Sequence, residues 1–169
     1  MKQQKVRLRA VEPSDVELMY PVENDISLWE SGTTTAPVSR HALQEWIDRS
    51  AGDIFIDRQL RLMAVSGKGE TVGMVDLTSF EPAHLRAEVG IIILEAYRGQ
   101  GYGFAALEAL CAYARDILHL HQLYALVTET NDPSLNLFFH AGFQHAGTLR
   151  DWVNRGDKYE NVEVWQTFL

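Results

Sequence analysis

The chain has 169 residues, 46% of them apolar and 22% charged, which is the material of one globular domain over residues 1–169 with a single core. Its formal net charge of -8 argues against nucleic acid as a partner, because such binders need a basic footprint, and suits a cationic ligand. Cys111 is the only cysteine, so no disulfide forms within the chain and no cysteine zinc cluster exists. With no apolar leader at the start and no apolar run of spanning length, a cytoplasmic protein with no membrane partner is expected.

The chain opens with "VRLRAVE", whose alternation from Val6 predicts a strand. Ser14 with Glu17 three residues on reads as a capping box for a helix carrying Val16, Leu18, Met19 and Val22. "TTTAPVS" reads as a loop, and Ser39 as the cap of a second helix with Leu43, Trp46 and Ile47 on one face. "QLRLMAVS" and "TVGMVDLTSF" read as strands joined by a turn at Gly67 to Glu70. "AEVGIIIL", Ala87 to Leu94, is a third strand. "FAALEALCAYARDIL" has helical spacing and helix-forming composition. "LYALVTE" is a further strand, and "DPSLNLFFHA" a helix with Pro133 in its first turn and Gly142 at its end. "FQHAGTLRDWV" and "YENVEVWQTFL" close the chain as a hairpin around "NRGDK". The order βααβββαβαββ predicts an α/β chain of the α+β type.

Between the third strand and the long helix lies "EAYRGQGYG". A strand, a glycine-rich turn and a helix start aim free backbone N–H groups and the positive helix end at one point, which makes an anion site. Glycine lets the backbone approach the anion closely, and Arg98 adds a charge-assisted donor. No Gly-Lys-Ser/Thr tripeptide is present, so a P-loop is excluded. Gly101, Gly103 and Ala106 fit a dinucleotide fingerprint, with Glu129 ending the next strand. That fold is disfavoured because the strands before the loop are joined by hairpins and too little chain follows to wind a second half.

"RGQGYG", Arg98 to Gly103, also fits R/Q-x-x-G-x-G/A residue for residue. Together with "VRLRAVEPSDVE" at the start and "NDPSLNLFFHAGF" after the next strand, it resembles the GNAT-superfamily N-acetyltransferases, of the branch with the spermidine and ribosomal-protein acetyltransferases. The resemblance runs essentially end to end. It implies the GNAT acyl-CoA N-acyltransferase fold, a mixed, mostly antiparallel, splayed sheet flanked by helices. It also implies acetyl-CoA as co-substrate, with no metal.

Carried over residue by residue, the resemblance puts Arg98, Gly99, Gln100, Gly101, Tyr102 and Gly103 on the CoA pyrophosphate. Ile91, Ile92 and Ile93 would lie along the pantetheine, with the N–H groups near Ile92 and Ile93 facing the acetyl carbonyl. A bulge at Gly90 is compatible with the splayed sheet. Asn131 and Ser134 match positions that contact the CoA arm, though each also reads as a helix cap or a first-turn polar residue. Phe138 stands where the family has a tyrosine proposed to protonate the thiolate; it can pack on the acetyl end but cannot donate a proton. Three routes stay open: no acid is needed, Tyr97, Tyr102 or Tyr124 substitutes, or CoA is bound without turnover.

Glu88 matches an acid common at this place and is the candidate base, since an ammonium must lose a proton before its nitrogen can attack. The plainer reading of Glu88 is pairing with Arg86. The histidines show no metal-binding spacing, and an acyl-cysteine at Cys111 is not expected. The acceptor site is expected between the N-terminal helices and the C-terminal hairpin, near Glu23, Asp25, Glu30, Asp48, Asp53 and Asp57. Trp29, Trp152 and Tyr159 are further candidates there, although packing accounts for each as well. A small cationic amine such as a polyamine is the expected substrate, with a protein N-terminus as the alternative and a homo-oligomer compatible with either.

Overall fold

The computed structural model describes residues 4–29 and 36–169. Strand β1 (Val6–Ala10) leads through a 3-10 turn over Pro13–Asp15 into α1 (Val16–Glu23) and the one-turn α2 (Ile26–Trp29). Ser14 is not the cap. The Asp15 carboxylate accepts from the Glu12 N–H at 2.8 Å and from Arg9 at 2.6 and 2.8 Å, and Glu12 completes a reciprocal capping box. Charge-assisted bonds of this kind are stronger than those a serine hydroxyl offers, so the box forms two residues early.

Helix α3 (Arg40–Arg49) starts where expected, with the Ser39 hydroxyl accepting from the Ala42 N–H at 3.0 Å. A second one-turn helix, α4 (Ile54–Asp57), is capped by Asp53, which accepts from the Phe55 N–H at 2.8 Å. Neither α2 nor α4 is long enough to carry a helical period, so neither shows in the sequence pattern.

The remaining elements are β2 (Leu60–Ser66), β3 (Thr71–Glu81), β4 (Arg86–Ile93), α5 (Tyr102–Asp116), β5 (Gln122–Thr128), α6 (Asp132–His140), β6 (Gln144–Asn154) and β7 (Tyr159–Phe168). The strands form one sheet in the order β1-β2-β3-β4-β5-β7-β6, antiparallel everywhere except β4 against β5. This is the mixed, mostly antiparallel architecture expected from the element order.

Both faces of the sheet are covered, which explains why β2 and β3 read as nearly unbroken apolar runs. On one face Leu62, Ala64, Val75, Leu77, Ala87 and Val89 pack with α5 and α6. The alternate residues Met63, Met74 and Ile92 pack on the other face with Val16 and Met19 of α1 and Leu43 of α3. The period of two therefore divides one strand between two cores. Leu107 and Leu110 of α5 are fully buried, each contributing about 1.5–3 kcal/mol of burial.

Candidate active site

The sheet forks at its centre. β4 and β5 pair only over Arg86–Glu88 against Gln122–Tyr124, so Glu88 and Tyr124 form the last rung. Beyond it β4 continues on β3 while β5 continues on β7, leaving the β5-side edge of β4 without a strand partner. The Leu94 N–H donates to the Val72 carbonyl at 2.9 Å. Strand alternation then turns the backbone groups of Ile92 towards β3 and those of Ile91 and Ile93 into the gap. The side chains divide too, Ile91 and Ile93 packing on the α5 side and Ile92 on the α1 side. Gly90 holds no bulge, because the β3–β4 register runs unshifted past it. A Cβ there would lie 3.2 Å from the Asp76 Cβ, a tight contact, so this glycine eases the close packing of β4 on β3.

The glycine loop closes the open end of the fork. Gly99 (φ 70°) and Gly101 (φ 87°) adopt left-handed backbone, and Gly101 stands at the N-cap of α5 with no side chain to cap it. Among the described residues, the N–H groups of Gly99 to Phe104 donate to no acceptor. Such a cluster at a helix start is satisfied by solvent or by an anion. Arg98 Nε donates to the Ile93 carbonyl at 2.9 Å and Gln100 Nε2 to the Ala96 carbonyl at 2.7 Å, which ties the loop to the strand end.

At the rung, Glu88 does not pair with Arg86, which instead binds Glu81 at 2.8 and 3.0 Å. The partner of Glu88 is the Ser79 hydroxyl, donating to Oε2 at 3.2 Å. Burial pushes the Glu88 carboxyl above its ordinary value, and the Ser79 hydroxyl offsets part of that rise. Burial and the Glu88 charge likewise raise the Tyr124 phenol, and the Ser79 hydroxyl offsets part of that rise. Thr78, opposite Glu88 in register, lines a cavity of about 360 Å³ between the sheet and α1 and α3. Met19, Leu43 and Trp46 form its apolar wall, and Glu23, Arg61 and Asp76 its polar floor. Arg61 binds Asp76 at 2.6 and 3.0 Å and also Glu23. Burial works against the Arg61 charge, and the two carboxylates outweigh it.

The model of the "Acetyltransferase (GNAT) domain" family matches residues 5–144. The chain belongs to the GNAT acetyltransferases. The spermidine N(1)-acetyltransferase of Escherichia coli (strain K12) is 26% identical over 157 residues, covering 93% of this chain and 82% of that one. The solved spermidine N-acetyltransferase of Vibrio cholerae in complex with CoA and spermine superposes with a TM-score of 0.86. It is 22% identical and covers 97% of this chain and 95% of that one. A dodecameric structure of the same enzyme superposes at 0.80, with 22% identity and coverage of 97% and 94%. These structures share the GNAT fold.

GNAT enzymes take acetyl-CoA as acetyl donor, and the residues present fit it. The free N–H groups suit a diphosphate, and the strand edge at Ile91 and Ile93, with the Ile93 carbonyl taken by Arg98 and the rest without a strand partner, suits an extended chain of amides. Asn131 sits at the N-cap of α6, its side chain accepting from the Ser134 N–H at 3.2 Å, so both residues stand at the helix start. Phe138 is buried, its ring edge-on to Phe143 at 5.0 Å. Tyr102 is also buried, edge-on to Tyr97 at 5.7 Å, which leaves Tyr124 as the tyrosine beside Glu88. Burial pushes the Cys111 thiol up to about 11, far from a nucleophile's range. Among the described residues no His, Cys, Asp and Glu cluster is arranged for a metal.

Of the acidic residues expected at the acceptor site, only Glu23 lines the cavity. Asp25 accepts from Ser27, Asp48 from Gln44, Asp53 caps α4 and Asp57 binds Ser50 and Gly52. Glu30 lies outside the described residues. Trp29 donates its indole N–H to the Glu23 carbonyl at 2.7 Å, while Trp152 and Tyr159 are exposed on the hairpin. Ser79, Arg61 and Asp76 were not foreseen. For the last two a signal existed: a charge on each of two adjacent, otherwise apolar strands, at positions that fall on one face.

Proposed function

We propose that the chain moves the acetyl group of acetyl-CoA to a primary amine of a polyamine or similar small cationic amine, by direct transfer within one ternary complex. The observation that carries this reading is the carboxylate of Glu88 on the last rung of the fork, beside a cavity floored by Glu23, Asp76 and the Arg61 that pairs both. The end-to-end similarity to the Escherichia coli spermidine enzyme supports it. Acetyl-CoA supplies an activated thioester. Gly99 to Gly103 bind its diphosphate through backbone N–H groups, and Ile91 and Ile93 hold the pantetheine arm. Asn131 and Ser134 flank that arm, with Phe138 walling its inner end. Glu88, directly or through water, takes the proton of the substrate ammonium. Holding amine and thioester together supplies much of the rate.

The site acts within a single domain over residues 1–169, in the cytoplasm, without nucleic acid, membrane or metal. Self-association fits the uncovered edge strand β6, where Trp152 is 59% exposed. Free-thiol release from acetyl-CoA, measured over polyamines, peptides with free N-termini and aminoglycosides, tests the substrate. Turnover with spermidine and products confirmed by mass would support the reading. CoA binding without turnover on any amine would overturn it.

A further inference from the structure

Ser79 is a non-glycine residue held at φ 49°, in the left-handed region that costs L side chains energy. It sits where the β3–β4 register shifts between Thr78 and Glu81, an irregularity close to the rung of the fork. Its side chain is exposed, so core packing does not demand this conformation. The bent backbone instead places a hydroxyl 3.2 Å from Oε2 of Glu88, which stands opposite Tyr124 on the last rung between β4 and β5. Backbone strain and bulges of this kind gather where a side chain must be aimed.

We propose that Ser79 is a positioning residue for acetyl transfer: the bulge in β3 aims its hydroxyl at Glu88 and fixes that carboxylate at the mouth of the fork, on the rung that it shares with Tyr124. The inference rests on the reading of Glu88 as the base. The hydroxyl acts in two ways. It restricts the carboxylate to one orientation, and it stabilises the charged form against burial. Other charged groups around Glu88 are held in pairs of their own. Arg86 of β4 binds Glu81 of β3, while Asp76 of β3 and Glu23 of α1 share Arg61 of β2. Tyr124 of β5 is neutral across the working range, its phenol being raised. The hydrogen bond from Ser79 is therefore the interaction among the described residues that favours the charged form of Glu88.

The variants are Ser79→Ala and Ser79→Gly, with Glu88→Gln as reference. Ser79→Gly removes the hydroxyl while relieving the left-handed strain, so it folds at least as well as the parent. Three quantities are measured: the pH profile of kcat/KM, the affinity for CoA alone, and the Glu88 carboxyl titration in the free protein by side-chain carbon shift. In both serine variants kcat falls about five- to tenfold, CoA affinity stays within twofold, and the acid limb and the Glu88 midpoint move together to higher pH. The sign follows from losing a donor to the charged form. An unmoved limb and midpoint in both serine variants, with Glu88→Gln inactive, overturns the role of Ser79 and leaves the base intact. Parental activity and pH profile in Glu88→Gln overturn the base and with it the role of Ser79.

Discussion

Gly73 lies on β3 opposite Ile93, behind the edge that faces the fork. A Cβ built there would stand 2.2 Å from the Ile92 carbonyl oxygen and 3.1 Å from the Ile93 Cα, both backbone atoms that no rotamer change can move. Reaching even 3.0 Å, below which real Cβ contacts essentially do not fall, parts the strands by 0.8 Å. The adjacent bond from Leu94 N–H to the Val72 carbonyl is 2.9 Å, so the same displacement takes it to about 3.7 Å, beyond any hydrogen bond. With one or two ladder bonds lost and the strand bent, Gly73→Ala costs about 2–4 kcal/mol of stability. The displacement also carries the Ile93 backbone out of line with the gap. Losing one hydrogen bond to a bound chain there weakens CoA about tenfold. Urea unfolding and calorimetric CoA titration measure the two effects. Gly67→Ala, on the β2–β3 turn with its nearest neighbours at 3.9 and 4.0 Å, is the control. A Gly73→Ala protein within about 0.5 kcal/mol of the parent, binding CoA within twofold, would refute the reasoning.

Leu107→Ala empties a fully buried position under the sheet and costs about 2–5 kcal/mol by urea unfolding; a loss under about 1 kcal/mol would mean the site collapses around the gap. Asp15→Asn removes the charge that Arg9 pairs and costs about 1–3 kcal/mol at neutral pH. Because Arg9 holds the folded Asp15 carboxyl below its ordinary 3.8, its stabilisation is complete above that value and is lost as pH falls through the depressed one. The gap between parent and Asp15→Asn should therefore narrow from about pH 4 downward in acid titrations. Cys111, raised from 9.0 to about 11, should react with iodoacetamide about a hundredfold more slowly in the folded protein than in the unfolded chain, followed by mass. Equal rates would show that the thiol is not held in a buried setting.

Elements whose period is carried by many residues were legible in the sequence: the three hairpin strands, α5, and the strand–loop–helix unit that holds the glycine loop. The α2 and α4 turns were not, because four residues each carry no period. Ser14 looked like a cap because Ser and Glu stand at the right spacing, yet Asp15 had the stronger donor in Arg9, an interaction that the spacing rule does not weigh. "GIII" reads as one apolar run, and only the register shows that Ile92 turns its backbone to β3 while its neighbours face the gap. Ser79 was hidden for a related reason. Its position depends on a register shift, and its hydroxyl meets Glu88 only once two strands are aligned.

The net charge of -8 says less about the substrate than the way that individual carboxylates are neutralised. Asp15, Glu81 and Glu160 each face an arginine, and Glu23 and Asp76 share one. Those five of the 23 carboxylates therefore have their countercharge inside the fold. Glu88 differs from these five in having a neutral partner, a hydroxyl that supports its charge without cancelling it. A carboxylate and an ammonium about 4 Å apart attract by about 4 kcal/mol at an effective dielectric near 20. A paired carboxylate forfeits most of that attraction to its arginine. On the proposed reading, Glu88 is thus the carboxylate of the fork whose charge stays available to an incoming ammonium.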